Sequence, residues 1–314
     1  MATLDLLTLS ELKKSLTAFN PSVSQQKPSA ALQTYLNFYN LPTLSDQLSL
    51  AVGTIVVNQS PIFAAAWQPP KSVGTALVVH GYMDHLGLYN HLIDFLISRN
   101  LTVVCFDLPG HGLSAGEAAF IEDFADYSCV LESLIGVCQQ YFPAPLHALG
   151  QSMGGAILLK HLIDSQSATD CPFKTINLLA PLLRPKAWSI NQWLLTFIRP
   201  FRKSVKRAFS RNSYDQNFLN FLRYKDPLQA RAIPLPWLDA AGKWVREFEI
   251  SKGSDFPINL IQGNADKTLN WQYNIEVFKH KLPNINLHMV GRANHHLVNE
   301  IQPLRAKILD AIEL

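Results

Sequence analysis

From about residue 53 onward, short β-branched runs alternate with longer amphipathic ones, and this alternation leaves the chain few architectures to choose from. GTIVVN and IFAAAW flank Gln59-Ser60-Pro61 and read as a hairpin. TALVVH (75–80) reads as a buried strand, GLYNHLIDFLISRN (87–100) as a helix ending at Asn100, and LTVVCFD (101–107) as a second buried strand. IEDFADYSCVLESLIGVCQQYF (121–142) carries apolar residues at helical spacing, and LHALG (146–150), TINLLA (175–180), INLIQG (258–263) and INLHMV (285–290) read as further strands. Strands separated by helices predict the α/β class, with a mostly parallel central sheet covered on both faces. In such a sheet, functional residues belong in the loops at the carboxyl ends of the strands.

Two segments break the alternation. Residues 1–48 read as an N-terminal helical appendage of two short helices, one opened by Ser10 and one by Pro28-Ser29, joined by the polar stretch NPSVSQQKPS and packed on the core. Residues 183–250 show no strand alternation and hold 12 aromatics in 68 residues, more than a solvated linker carries. The expected division is therefore an appendage (1–48), a core made of 49–182 and 251–314, and an insertion at 183–250.

Composition narrows the function. The 27 Lys and Arg against 24 Asp and Glu leave a net charge of +3, too small a surplus to suggest nucleic acid as the main partner. No apolar run approaches the roughly 18 residues that cross a bilayer, and MATLDLLTLSELKK lacks a basic start followed by an apolar stretch. Cys105, Cys129, Cys138 and Cys171 lie scattered in apolar segments with no CxxC pair and no metal-type spacing, which predicts buried thiols in a reduced, cytoplasmic protein.

The strongest chemical signal is GQSMG at 150–154, which follows the strand LHALG and opens the helix-like run GGAILLKHLI. A nucleophile on a sharp strand-to-helix turn sits in a strained conformation that crowds its neighbours, so small residues must surround it. Gly150, Gly154 and Gly155 supply them, with Gln151 completing the elbow around Ser152. The helix N-terminus behind Ser152 offers free N–H groups to developing negative charge. A serine hydroxyl is a weak nucleophile at neutral pH and needs a base, and the base needs a group to hold its tautomer. Asp266 follows the strand INLIQG, and His295 and His296 lie in GRANHHLVNE after INLHMV, giving the order serine, acid, histidine.

These motifs resemble the α/β-hydrolases of the monoacylglycerol lipase and bacterial lysophospholipase group. The similarity spans Gly53 to about residue 312 through HGYMDHLGLY (80–89), FDLPGHGLSAG (106–116), GQSMGG (150–155), QGNAD (262–266) and GRANHHLVNE (291–300). The resemblance implies Ser152 as nucleophile, Asp266 as acid and His295 as base, because the group places its histidine five residues before the glutamate matching Glu300; His296 remains the alternative. An oxyanion hole needs two preset N–H donors, one from Met153 after the nucleophile. The resemblance places the second on Tyr82, after His80-Gly81. It also implies a helical cap over the site at 183–250. The chain departs from the group at Gln151, where histidine is usual, and at His296, where glutamate is common.

Other polar residues read as scaffold. Asp107 and His111 read as a hydrogen-bonded loop, His80, Asp84 and His85 as braces of the oxyanion loop, and His147 as a sheet residue. Lys160 lies more than two helical turns from Ser152, too far for a Ser-Lys dyad.

The insertion's charge is distinctive: 13 Lys and Arg against 5 Asp and Glu, a net +8 that leaves −5 on the rest. Between 190 and 209, Ile190, Trp193, Leu194, Phe197, Ile198, Phe201 and Val205 recur at helical spacing opposite Arg199, Arg202, Lys203, Lys206 and Arg207, which predicts a basic amphipathic helix broken at Pro200. Its basic face either docks on anionic lipid, as a peripheral membrane contact, or is merely solvated. The expected activity is a serine carboxylester hydrolase acting on monoacylglycerol or lysophospholipid, with no metal or organic cofactor. A serine aminopeptidase and a non-catalytic lipid-binding protein of the same fold are the competing expectations. The peptidase would need a buried carboxylate pair to grip a free amino terminus, and the insertion offers only five acids.

Overall fold

The computed structural model describes residues 4–22, 28–165, 171–188 and 197–314. Its strands are β1 (Ser49–Val57), β2 (Ser60–Gln68), β3 (Thr75–Val79), β4 (Thr102–Phe106), β5 (Leu146–Gln151), β6 (Thr175–Leu179), β7 (Ser204–Lys206), β8 (Ala232–Pro234), β9 (Ile258–Gly263) and β10 (Ile285–Val290). Its helices are α1 (Leu6–Ser15), α2 (Ala30–Phe38), α3 (Asn90–Ser98), α4 (Ala125–Tyr141), α5 (Met153–Asp164), α6 (Gln216–Tyr224), α7 (Leu235–Ile250), α8 (Trp271–Lys281) and α9 (Gln302–Asp310).

Eight strands form one sheet in the order β1-β2-β4-β3-β5-β6-β9-β10. β1, β2 and β4 pair antiparallel, and every pairing from β4 through β10 is parallel. This is a mostly parallel sheet covered on both faces by helices, as the alternation predicts. Successive side chains of β3 point to opposite faces. Leu77 and Val79 join an apolar cluster with α4, α5 and α7, whereas Ala76 and Val78 join a second cluster with α1, α2, α3 and α9. Among the described residues, no helix is long and apolar enough to cross a membrane.

Three local expectations are corrected. The hairpin turns at Asn58-Gln59, both at positive φ, and Ser60 and Pro61 already belong to β2. A two-residue turn of that hand suits the strand twist, and Asn tolerates it. Helix α1 is opened by Asp5, whose carboxylate accepts the Thr8 N–H, so Ser10 lies inside it; Ser29 caps α2 as expected. The basic helix predicted over 190–209 does not extend to its end. Residues 189–196 lie outside the described part, Phe197 and Ile198 are helical, and Ser204–Lys206 form β7, paired antiparallel with β8. Phe201 is 85% exposed, and Arg207 turns from solvent to Gln229 and the Ala230 carbonyl.

The described part of 183–250 packs onto the core rather than trailing from it. Trp244 and Phe248 are fully buried, Trp244 stacks on Phe124 with ring centroids 5.6 Å apart, and Lys160 of α5 pairs with Glu247 of α7. At the other end, the Tyr39 hydroxyl after α2 donates to Asp226 after α6 at 2.8 Å.

Candidate active site

The site is built on the β5-to-α5 turn. Ser152 has φ 52° and ψ −110°, a left-handed conformation that costs a non-glycine residue about 1–3 kcal/mol and persists only when its surroundings enforce it. Here the Ser152 N–H donates to the Leu179 carbonyl at 2.8 Å, and the Ser152 carbonyl accepts the Leu182 N–H at 2.9 Å. The tightness explains two glycines. A Cβ on Gly154 would sit 2.1 Å from the Val79 carbonyl oxygen, and one on Gly150 would sit 2.6 Å from the Gly154 backbone.

Two loops complete the site. Asp266 follows β9 in the turn after Gly263, and His295 follows β10. His295 Nε2 is 2.9 Å from Ser152 Oγ, and His295 Nδ1 is 2.8 Å from Asp266 Oδ2. Asp266 is buried, with Oδ1 accepting the N–H groups of Thr268 and Leu269. Burial pulls its pKa upward, but the His295 charge, the hydrogen bond to it and those two amides outweigh burial and hold the carboxyl below its ordinary value. Burial likewise disfavours a charged His295, yet the Asp266 charge and hydrogen bond win, so the imidazole pKa is raised. An ionised Asp266 accepts from Nδ1–H, leaving the lone pair of Nε2 directed at the Ser152 hydroxyl.

The loop after β3 runs beside the serine: a Cβ on Gly81 would lie 3.5 Å from Ser152 Cβ. Tyr82 stacks its ring on Trp237 of α7 at 3.4 Å between centroids and donates its hydroxyl to Ala119. Met153 is the first residue of α5, so its N–H has no acceptor within the helix. His296 does not reach Ser152; its Nε2 lies 3.1 Å from Asp84 Oδ2.

The remaining polar residues are braces. Asp107 accepts the Leu86 and Leu113 N–H groups. His80 Nε2 accepts the Leu108 N–H and His80 Nδ1 donates to the Gly81 carbonyl. Burial pushes His80 down to about 3 and His111 to about 4, so both are neutral. Lys160 pairs with Asp164 and Glu247, and His147 with Thr175. Among the described residues, no group of three or more His, Cys, Asp or Glu is placed to hold a metal.

Two contacts at the site had no sequence signal. The Gln151 amide donates to the His295 carbonyl at 2.9 Å, and His85 Nε2 meets Asp226 Oδ2 at 3.1 Å, with both side chains fully buried. Asp226 also takes the Tyr39 hydroxyl and the Gln229 amide, so the loop after β3, the insertion and the N-terminal segment share one carboxylate. Glu300, which in the sequence serves only as a spacing marker for His295, is buried and accepts the N–H groups of Asn294 and Tyr214.

Residues 70–302 match the hydrolase family described as serine aminopeptidase, S33. The chain belongs to that family. It is accordingly a serine hydrolase of the α/β-hydrolase fold. The human monoglyceride lipase is 35% identical over 66% of this chain and 70% of its own length. The mouse monoglyceride lipase is 29% identical over the same shares. Among solved structures, a soluble variant of the Saccharomyces cerevisiae monoglyceride lipase, bound to a substrate analog, superposes with a TM-score of 0.70 at 15% identity, covering 86% of this chain and 93% of that one. The Paleococcus ferrophilus monoacylglycerol lipase superposes with a TM-score of 0.63 at 20% identity, covering 80% and 99%. At such identities these two likenesses bear on the fold alone.

Proposed function

We propose that this serine hydrolase cleaves the acyl ester of single-chain lipids, monoacylglycerol or lysophospholipid, through an acyl-enzyme. The observation that carries the reading is His295 bridging Ser152 Oγ and Asp266 at hydrogen-bond distance on both sides. Ser152 Oγ attacks the ester carbonyl while His295 Nε2 takes its proton, and Asp266 stabilises the imidazolium. The backbone N–H groups of Met153 and Tyr82 receive the oxyanion, each donor worth roughly 3 kcal/mol in the transition state. His295 returns its proton to the departing alcohol, then activates water to release the acid and restore Ser152. Every proton has a donor and an acceptor in this cycle, so it needs no metal or organic cofactor.

In this reading residues 1–48 are an appendage, 49–182 and 251–314 the core, and 183–250 a cap. Tyr82 stacked on Trp237 joins the oxyanion loop to the cap. The exposed basic residues Arg202, Lys203 and Lys206 beside the exposed Phe201 support a cap surface that rests on anionic lipid.

The lipid preference follows the monoglyceride lipases to which the chain is similar. The family's description favours a second reading, an aminopeptidase. An aminopeptidase grips a free amino terminus with carboxylates, and the insertion's five are all engaged. Asp215 caps α6, Asp226 holds His85, Asp239 holds Arg199, Glu247 holds Lys160 and Glu249 holds Arg184. Hydrolysis rates on monoacylglycerols and lysophosphatidylcholines of increasing chain length, beside aminoacyl amides, test the choice. Turnover of medium or long acyl esters, lost in Ser152→Ala, is expected; turnover of the amides alone would overturn the ester reading.

A further inference from the structure

The loop carrying Gly81 and Tyr82 holds a buried carboxylate for which the cycle above has no use. Asp84 Oδ2 accepts the Tyr89 hydroxyl at 3.0 Å, and that oxygen in turn accepts the Gly81 N–H at 2.9 Å. One phenol therefore ties Asp84 to the backbone immediately before Tyr82. The same Oδ2 faces His296 Nε2 at 3.1 Å, with the two side chains 7% and 4% exposed.

His296 adjoins His295 in sequence and touches the insertion. Its N–H donates to the Asn212 carbonyl at 2.8 Å, and its ring meets the Phe218 ring of α6 edge-on at 4.8 Å. Burial alone would raise the Asp84 pKa, but His296 foremost, with the Tyr89 hydroxyl, drives it well below the usual carboxylate range. A buried anion of this kind needs a partner, and its removal strands the charge.

The topology shows why such a link matters. The loops bearing Tyr82 and His295 follow β3 and β10, which are separated in the sheet by β5, β6 and β9. The pleat therefore does not set their spacing directly, yet the oxyanion donor and the base must meet one substrate, and a misplacement near 1 Å costs about a hundredfold in rate.

We propose that Asp84 and His296 are a positioning pair that fixes the gap between the Tyr82 amide and His295, and that Asn212 and Phe218 make this gap depend on how the insertion is seated. The inference rests on the roles assigned to Ser152, His295 and Tyr82 above. It assigns a task to His296, one of the two positions at which this chain departs from the group it resembles.

The test compares the full-length protein with Asp84→Asn, His296→Ala, the double variant, and His296→Gln, which keeps an amide donor at similar reach. Readouts are kcat and KM on a monoacylglycerol and the rate of Ser152 labelling by a fluorophosphonate probe, normalised to the folded fraction from melting curves. Each of the two disruptive single variants should lower kcat by about ten- to a hundredfold with a much smaller change in KM. Labelling should slow in parallel, the double variant should be no worse than the worse single one, and His296→Gln should recover most of the loss. Folded single variants with wild-type kcat, or losses that multiply in the double variant, would overturn the pairing alone. A wild type that is neither labelled nor active would overturn the function reading and this inference together.

Discussion

The side-chain amide of Gln151 donates to the backbone carbonyl of His295 at 2.9 Å, so the residue before Ser152 holds the loop that carries His295. Gln151→Leu keeps the bulk and removes the donor. It should destabilise the protein by about 1–3 kcal/mol, the cost of a buried carbonyl left unpaired. The larger effect should appear as a fall in kcat, because the lost restraint holds the backbone of His295, whose Nε2 lies 2.9 Å from Ser152 Oγ. Thermal melting and steady-state kinetics on one ester check both; an unchanged kcat would show that the loop holds itself.

Asp266→Asn preserves shape but removes the charge that fixes the His295 tautomer. An amide at that position favours the imidazole with its proton on Nε2, unable to accept from Ser152. The expected loss in kcat is about 10⁴-fold, with KM nearly unchanged, measured on any ester that the wild type turns over.

Asp226 is the shared acceptor for His85, Tyr39 and Gln229. Replacing it by Asn strands a buried imidazole whose raised pKa depends on that carboxylate, and the protein should lose about 3–5 kcal/mol. Tyr39→Phe should lose only about 1 kcal/mol, since one hydrogen bond disappears and the ion pair remains. Urea unfolding of the two variants checks the ranking; equal losses would contradict it.

Activity and stability should respond to acid differently. As the proposed base His295 must be neutral, and its pKa lies above the ordinary 6.5, so kcat/KM should fall with decreasing pH through a midpoint above 6.5. Stability should fall in a lower window. His80 and His111 stay neutral in the fold down to about 3 and about 4, whereas the unfolded chain protonates them below 6.5. The unfolded state therefore gains protons that the folded state does not, and the melting temperature should drop as pH falls from 6.5 toward 4. His85 and His295, with raised pKa values, contribute stability already complete below 6.5, so they do not reverse the trend. A flat melting temperature across that window would contradict the buried neutral histidines.

Much of the site was legible because its signals are local. The glycines around Ser152, the carboxylate just past INLIQG and the histidines just past INLHMV each sit within one turn of a strand end, where an α/β sheet gathers its functional groups. What stayed hidden depends on distant pairing. Gln151 meets a residue 144 positions away and Asp226 one 141 positions away, and neither carries any mark of this in its own neighbourhood. The basic stripe from 190 to 209 misled for the same reason: its end pairs with Ala232–Pro234, and strand pairing overrode the helical period. Four residues of spacing distinguish a helix face poorly when Pro200 interrupts the run and the partner strand lies downstream.

The proposed role of Ser152 as the nucleophile, driven by His295 and Asp266, can be read from a covalent adduct. Its most direct test is to treat the folded protein with a fluorophosphonate probe and locate the adduct by peptide mass spectrometry. One adduct per chain is expected on the peptide carrying Ser152, absent in Ser152→Ala and strongly slowed in His295→Ala. An adduct on another residue, or a folded wild type that the probe leaves unmodified, would contradict it.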